Sequence, residues 1–332
     1  MGLYNLGNNK KIAGLFDVRK GKKIKGLIAV SNGEFKIVYR SITITPIEQW
    51  QYIISDKPNS MCEFKKENVI FVSAANNLYK LSTDGKLLNK YKTDAGMLGF
   101  ENLISTKDGI FVSDSSKIER LNPDTGETIW SLKMGVDTIK SGNDGSIFAN
   151  ISSNSKGPVI YKISSGGKII WSATVADSDD SASDFDIDST GKVLVSSRAA
   201  NGIFEISSDG KEINQIKSGN ANHVRISETD DIYIGGAVIN KIERDGTIDW
   251  SINAPVTSNF FSATDGVIVL DTYEWILTKY DRFGNRVYSY DFSDANLFSG
   301  NILLPSDTGA YVTNKIDNST AAIIKIVEEK GS

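Results

Sequence analysis

The sequence predicts an all-β protein: a seven-bladed β-propeller of four-stranded antiparallel blades, closed by a strand from near the N-terminus and preceded by a small N-terminal β module. Three observations predict it. One strand–turn–strand pattern occurs six times, the copies return about every 40 residues, and helix-period patterns are essentially missing. With 332 residues, 40% apolar and 23% charged, the chain is globular rather than disordered.

The first 40 residues stand apart by charge. Lys10, Lys11, Arg19, Lys20, Lys22, Lys23, Lys25, Lys36 and Arg40 face only Asp17 and Glu34, a balance of +7 that leaves −11 for residues 41–332. Such asymmetry suggests parts with different partners, or a solvated lysine-rich hairpin. Within NNKKIAGLFDVRKGKKIKGLIAVSNGEFKIVYR (8–40), two or three short strands are separated by Arg-Lys-Gly-Lys and Ser-Asn-Gly.

The repeats follow. They read LYKLSTDGKLLN (78–89), IERLNPDTGETIW (118–130), IYKISSGGKIIW (160–171), IFEISSDGKEIN (203–214), INKIERDGTIDW (239–250) and LTKYDRFGNRVY (277–288). Each turns at a glycine, and tight hairpins usually demand positive φ. A second strand precedes each copy, as in NVIFVSA (68–74) or DGIFVSD (108–114). A further short segment lies upstream, such as NLIST (102–106) or NHVRI (222–226).

An aromatic or amide ends each copy, at Asn89, Trp130, Trp171, Asn214, Trp250 and Tyr288. After Tyr288 the chain supplies only three more strands, ending at AAIIKIVEE (321–329). EQWQYII (48–54) supplies the fourth, with Trp50 at the aromatic position. The spacings from Trp50 onward are then 39, 41, 41, 43, 36 and 38 residues. This closure pairs the two ends of the chain and removes an open sheet edge. An eight-blade ring with one degenerate blade is the alternative, although residues 1–47 are short for a blade plus a linker.

LNPDTGETIWSL (121–132) and SSGGKIIWSA (164–173) resemble the repeat of pyrroloquinoline-quinone-type propellers, whose D-x-x-T-G-x-x-x-W signature docks a Trp into the adjoining blade. The resemblance implies that role for Trp50, Trp130, Trp171 and Trp250. It also implies looser packing where Asn89, Asn214 and Tyr288 depart from it. Quinone enzymes of that group have eight blades and long cofactor-binding insertions, which are missing here, so no cofactor is expected.

In the N-terminal segment, Lys22, Lys23, Ile24, Lys25, Gly26, Leu27, Ile28, Ala29, Val30 and Gly33 form a K-K-I-K-G-φ-φ-A-V-x-x-G core. It resembles the N-terminal module of tail and baseplate proteins in phages and tail-like particles of Gram-positive hosts. The resemblance implies a particle component whose N-terminus docks, with Phe16, Leu27 and Ile28 as apolar and Lys22, Lys23 and Lys25 as basic docking residues.

Composition removes several classes. Cys62 and His223 are the one cysteine and the one histidine, so an intramolecular disulfide, a structural Cys/His zinc site and a cysteine–histidine centre have little material. No apolar run approaches the length of a membrane span, and MGLYNLGNNKK does not read as a secretory signal. The net charge of −4 argues against a globally basic nucleic-acid binder. P-loop, G-x-S-x-G and H-E-x-x-H motifs are missing.

Asp184, Asp186 and Asp188 alternate before Gly191 and could hold calcium, but the same spacing is that of an ordinary strand and turn. Asn102, Asp137, Asp184, Asn222, Asn259 and Asn296 begin inner strands. They read either as turn chemistry or as a polar cup at one channel mouth. Tyr273 and Trp275 are an aromatic pair in a loop, either core or a platform for a saccharide. Cys62 reads as a buried small residue.

The function expected is therefore a non-enzymatic tail-tip, baseplate or tail-fibre protein of a virion or tail-like particle, assembled in the host cytoplasm. Its partners would be other tail proteins through residues 1–40 and a cell-surface glycan or protein through the propeller, with no nucleic acid and no membrane insertion. The alternatives are a bacterial scaffold propeller and a channel-mouth lactonase or lyase.

Overall fold

In a computed structural model, residues 5–6, 10–12, 26–31, 34–40, 44–93, 101–151, 158–175, 182–197, 202–218, 221–235, 238–253, 259–271, 276–291, 303–306, 309–315 and 320–330 are described. The chain divides into two units, Met1–Thr45 with Glu328–Ser332, and Pro46–Val327. In the first, Asn5–Leu6, Lys10–Ile12, Gly26–Ser31 and Glu34–Arg40 form a four-stranded antiparallel sheet in chain order. Ser31 pairs with Glu34. Leu27 and Ile28 lie on the strand Gly26–Ser31, while Phe16, Lys22, Lys23 and Lys25 fall outside the described residues.

The second unit is the propeller. Seven four-stranded antiparallel sheets follow one another as blades. Blade 1 spans residues 58–92, blade 2 102–132, blade 3 138–174, blade 4 182–216, blade 5 223–253 and blade 6 259–291. Blade 7 takes Leu303–Ser306, Gly309–Lys315 and Ala321–Lys330, and its fourth strand is Ile44–Ile54. The ring thus closes through residues 48–54 against 321–329, as the position of Trp50 requires.

All six repeat glycines have positive φ, between 73° and 90°. The turn does more than reverse the chain. A Cβ on Gly85 would lie 2.6 Å from the Trp50 ring of blade 7, and one on Gly210 2.6 Å from Trp171 of blade 3. At five of the six, Gly85, Gly126, Gly167, Gly210 and Gly284, the glycine therefore lets a ring of the preceding blade slide beneath the turn. The indole N–H then donates to a carbonyl of that turn: Trp50 to Thr83 O at 2.9 Å, Trp130 to Ser165 O at 2.9 Å, Trp171 to Ser208 O at 3.0 Å, and Trp250 to Arg282 O at 2.9 Å.

The expected loosening at Asn89 does not occur. Tyr91, two residues on and on the same face of the strand, slides under Gly126 and donates to the Pro123 and Asp124 carbonyls at 3.1 and 2.9 Å. The ring has moved along the strand, and Asn89 is left exposed. After blade 4, where Asn214 stands, the gap closes differently: the Lys217 carbonyl and the Ile216 methyl press against Gly246. In blade 6, Tyr288 is buried.

One cross-strand row explains why the repeat has its residues. In blade 3 it runs Lys140, Phe148, Lys162, Trp171 from inner to outer strand. In blade 5 it runs Arg225, Tyr233, Lys241, Trp250. Residues opposite one another share a face, so the third-strand cation lies against the second-strand ring, with Lys162 5.3 Å from the centre of Phe148 and Lys80 5.6 Å from Phe71. The buried ammonium is neutralised by an acid: Lys80 by Glu67 at 2.8 Å, Lys162 by Asp144 at 2.8 Å, Lys241 by Asp249 at 2.9 Å, and Lys279 by Asp265 at 2.9 Å. Blade 4 inverts the sign. Glu205 takes the cation's place and pairs with Lys192 at 2.8 Å and with Arg244 of blade 5.

Substitution can separate these roles. Trp50→Ala and Tyr91→Ala should each cost about 3 kcal/mol in denaturant unfolding, since each removes an interblade ring. Asn89→Ala should change stability by less than about 0.5 kcal/mol. Equal effects at Asn89 and Tyr91 would mean that the aromatic position had not moved.

Candidate functional site

The first strands of six blades, all but blade 4, line the central channel, a cavity of about 650 Å³. Register fixes which side chains reach it. The innermost members of the cross-strand row are Cys62, Ile104, Lys140, Asp186, Arg225, Phe261 and Leu304, one per blade. All except Asp186 are among the cavity's lining residues. The ring is therefore two-sided. At these positions blades 6, 7, 1 and 2 contribute an apolar arc of Phe261, Leu304, Cys62 and Ile104, and blades 3 to 5 a charged arc, of which Lys140 and Arg225 line the cavity; Glu63, Lys65 and Glu228 line it as well. The Cys62 thiol is buried, and burial pushes its pKa up, so it stays protonated.

The charged arc is a network. Lys140 lies 3.6 Å from Asp184 and 3.5 Å from Asp186. Arg225 pairs with Asp184 and donates to the Val224 carbonyl at 2.7 Å. Its guanidinium stands 5.7 and 5.6 Å from the ring centres of Phe260 and Phe261. His223 Nδ1 is 3.4 Å from Asp184, and its ring meets Phe260 edge-on at 6.2 Å. Asp186 accepts the Ile226 N–H at 2.8 Å, which ties blade 4 to blade 5. Burial raises the Asp184 pKa, but Lys140, Arg225 and His223 outweigh it and hold the carboxyl well below its usual range.

Of the three aspartates of the calcium alternative, Asp184 and Asp186 share Lys140 and Asp188 is engaged elsewhere. Asp188 is turned into the following hairpin, where it accepts from Thr190 N at 2.9 Å, Thr190 Oγ1 at 2.7 Å and Lys192 N at 3.0 Å, and pairs with Arg244. Among the described residues, no three His, Cys, Asp or Glu side chains converge as metal ligands would.

The polar cup also changes membership. Two residues before the channel ring, the register places Ser60, Asn102, Thr138, Asp184, His223 and Asn259. Thr138 and His223 replace Asp137 and Asn222, because a one-residue offset turns a side chain to the other face. Asn102 Nδ2 donates to Ser113 Oγ at 3.1 Å and to the Asp137 carbonyl of the next blade at 3.2 Å. Ser60 Oγ accepts the Leu103 N–H of blade 2 at 3.1 Å. On this row Ser60 and Asn102 fasten neighbouring inner strands, whose backbones belong to separate sheets. Asn259 opens the strand Asn259–Ala263. Tyr273, Trp275 and Asn296 lie outside the described residues.

Lys140 and Arg225 are the site residues that sequence reasoning passed over. Each lies eight residues before the second-strand aromatic of its blade, Phe148 or Tyr233, but the corresponding interval is nine at Cys62 and seven at Ile104. Hairpin length varies, so the channel position shows only once register is known.

Neither protein-family models nor curated protein sequences match the chain. Solved structures share its architecture. Virginiamycin B lyase from Staphylococcus aureus aligns with a TM-score of 0.65 at 14% identity, covering 83% of this chain and 99% of the lyase. A catalytically inactive histidine-to-alanine form of that lyase with quinupristin gives 0.67 at 14% identity, covering 85% and 99%. BamB from Moraxella catarrhalis gives 0.53 at 11% identity, covering 98% of each chain. Identities this low show a shared propeller fold and nothing about activity.

Asp184 carries a pH signature. Its folded pKa is depressed, so its stabilisation is present above the unfolded aspartate value of about 3.9 and is lost as pH falls through the folded value. Asp184→Asn should lose about 3 kcal/mol at pH 7, because Lys140 and Arg225 are left without their carboxylate. The gap to wild type should narrow below about pH 4. Denaturation series across pH will check this, and a gap that stays constant would contradict it.

Proposed function

We propose that the chain is a non-catalytic component of a phage tail or a tail-like particle, with the basic N-terminal module as the docking element and the propeller as its recognition or structural body. The observation that carries this reading is a separate four-stranded sheet in a segment of charge +7, beside a remainder of −11. A sheet of this size, with strands of two, three, six and seven residues, buries little surface by itself. Adding strands from a partner's sheet, or covering Leu27, Ile28 and Phe16, would supply the missing burial. Lys22, Lys23 and Lys25 favour an acidic partner and make encounter salt-sensitive. The K-K-I-K-G-φ-φ-A-V-x-x-G core supports a tail-particle setting.

The propeller's own chemistry agrees with a non-catalytic role. The imidazole of its one histidine shares Asp184 with Arg225 and Lys140, so the carboxylate that would orient it as a base is already committed to two cations. A scaffold role like that of a bacterial assembly propeller uses the same module and differs only in the partner.

The test is a full-length chain carrying Lys22→Glu, Lys23→Glu and Lys25→Glu, expressed with the complete particle. The variant should keep the wild-type unfolding transition but sediment apart from particles, and wild-type association should weaken as salt rises. Normal incorporation of the variant would move docking to the propeller.

A further inference from the structure

We propose that the central channel is a binding site for an amphipathic molecule that carries an oxyanion, a carboxylate or a phosphate, on an apolar body. The site is independent of the docking role above, since every residue that lines it belongs to the propeller unit.

Five charged residues line the cavity: Lys140 and Arg225, Glu63, and Lys65 and Glu228, which stand 3.6 Å from each other. In the charged arc, Lys140 and Arg225 line it, whereas Asp184 and Asp186 do not. The carboxylates stand behind the cations and hold them in place: both cations reach Asp184, so the two are fixed close together. Lys140 meets its carboxylates at 3.5–3.6 Å. That is the outer limit of a hydrogen bond, and an ammonium with three donors keeps capacity for a closer acceptor. Arg225 is braced by Phe260 and Phe261, and its planar fork suits an oxyanion.

The opposite wall supplies the second half. Phe261, Leu304, Cys62 and Ile104 form an apolar arc, interrupted by Glu63, Ser105 and Ser262, that faces the cations across a cavity of about 650 Å³, a size within the range of small-molecule sites. A separate sign of an incomplete site lies in the same lining. Ser306 Oγ is buried and has no hydrogen-bond partner among the described residues. Buried hydroxyls are ordinarily satisfied, and a polar atom on the ligand's body beside Leu304 would satisfy this one. A purely ionic ligand would leave the apolar arc wet, and a purely apolar one would cover Lys140 and Arg225 without an acceptor. Only a molecule with both parts matches both walls.

Calorimetric titration of the full-length protein with four probes tests this: decanoate, decyl phosphate, 1-decanol and inorganic phosphate. One or both anionic amphiphiles should bind one per chain, at least about tenfold more tightly than decanol or phosphate, and the better of the two identifies the head group. Lys140→Gln should weaken that binding about tenfold. Leu304→Trp, which fills the apolar arc, should abolish it, and Lys86→Gln on an exposed turn should change nothing. The proposal is overturned if decanol binds as tightly as the anions, if Lys140→Gln binds like wild type, or if neither anionic amphiphile binds. Lys140→Gln keeps the test decisive should the tryptophan variant fail to fold.

Discussion

The propeller depends on one repeated contact, an aromatic ring held beneath the glycine turn of the next blade with its polar atom bonded to that turn. The contact is what makes seven separate sheets one ring, because adjacent blades share no strand. It explains why the turn tolerates no side chain and why the ring must carry a donor. Trp50 performs it at the seam where the chain ends meet, so one residue belongs both to the strand that completes blade 7 and to the dock onto blade 1. The contact need not be kept literally. Tyr91 provides it from two residues along the strand, and Lys217 replaces it with a carbonyl, because the requirement is to fill the wedge between blades rather than to place a particular residue.

The cross-strand row shows how such a ring separates stability from specificity. Its outer three columns are constrained: an aromatic or large aliphatic residue, then a charge that an acid meets in blades 1, 3, 5 and 6, then the position from which a tryptophan docks in blades 2, 3, 5 and 7. The charge is positive in every blade except blade 4, where Glu205 brings Lys192 and Arg244 with it as compensation. The inner column faces the channel and touches little of this machinery. It changes freely from Cys62 to Lys140 to Phe261, and it is there that the ring becomes apolar on one side and cationic on the other. Asp184 and Asp186 link the two zones. They bind blade to blade while holding Lys140 and Arg225 toward the cavity.

The sequence by itself determined the blade count, the closing strand and the turns. These follow from local periodicity and from glycine's access to positive φ, and each copy reports them independently. It also separated the basic N-terminal segment from the acidic remainder, since charge needs no geometry to be counted. The structure alone decided which inner residues share a level. A shift of one residue in register exchanges Asn222 for His223 and Asp137 for Thr138, and hairpins of different length hide that shift from spacing. The same dependence concealed the channel's two walls. Lys140, Arg225, Phe261 and Leu304 lie on four blades and are as many as 164 residues apart in the chain; closure of the ring alone makes them neighbours around one cavity.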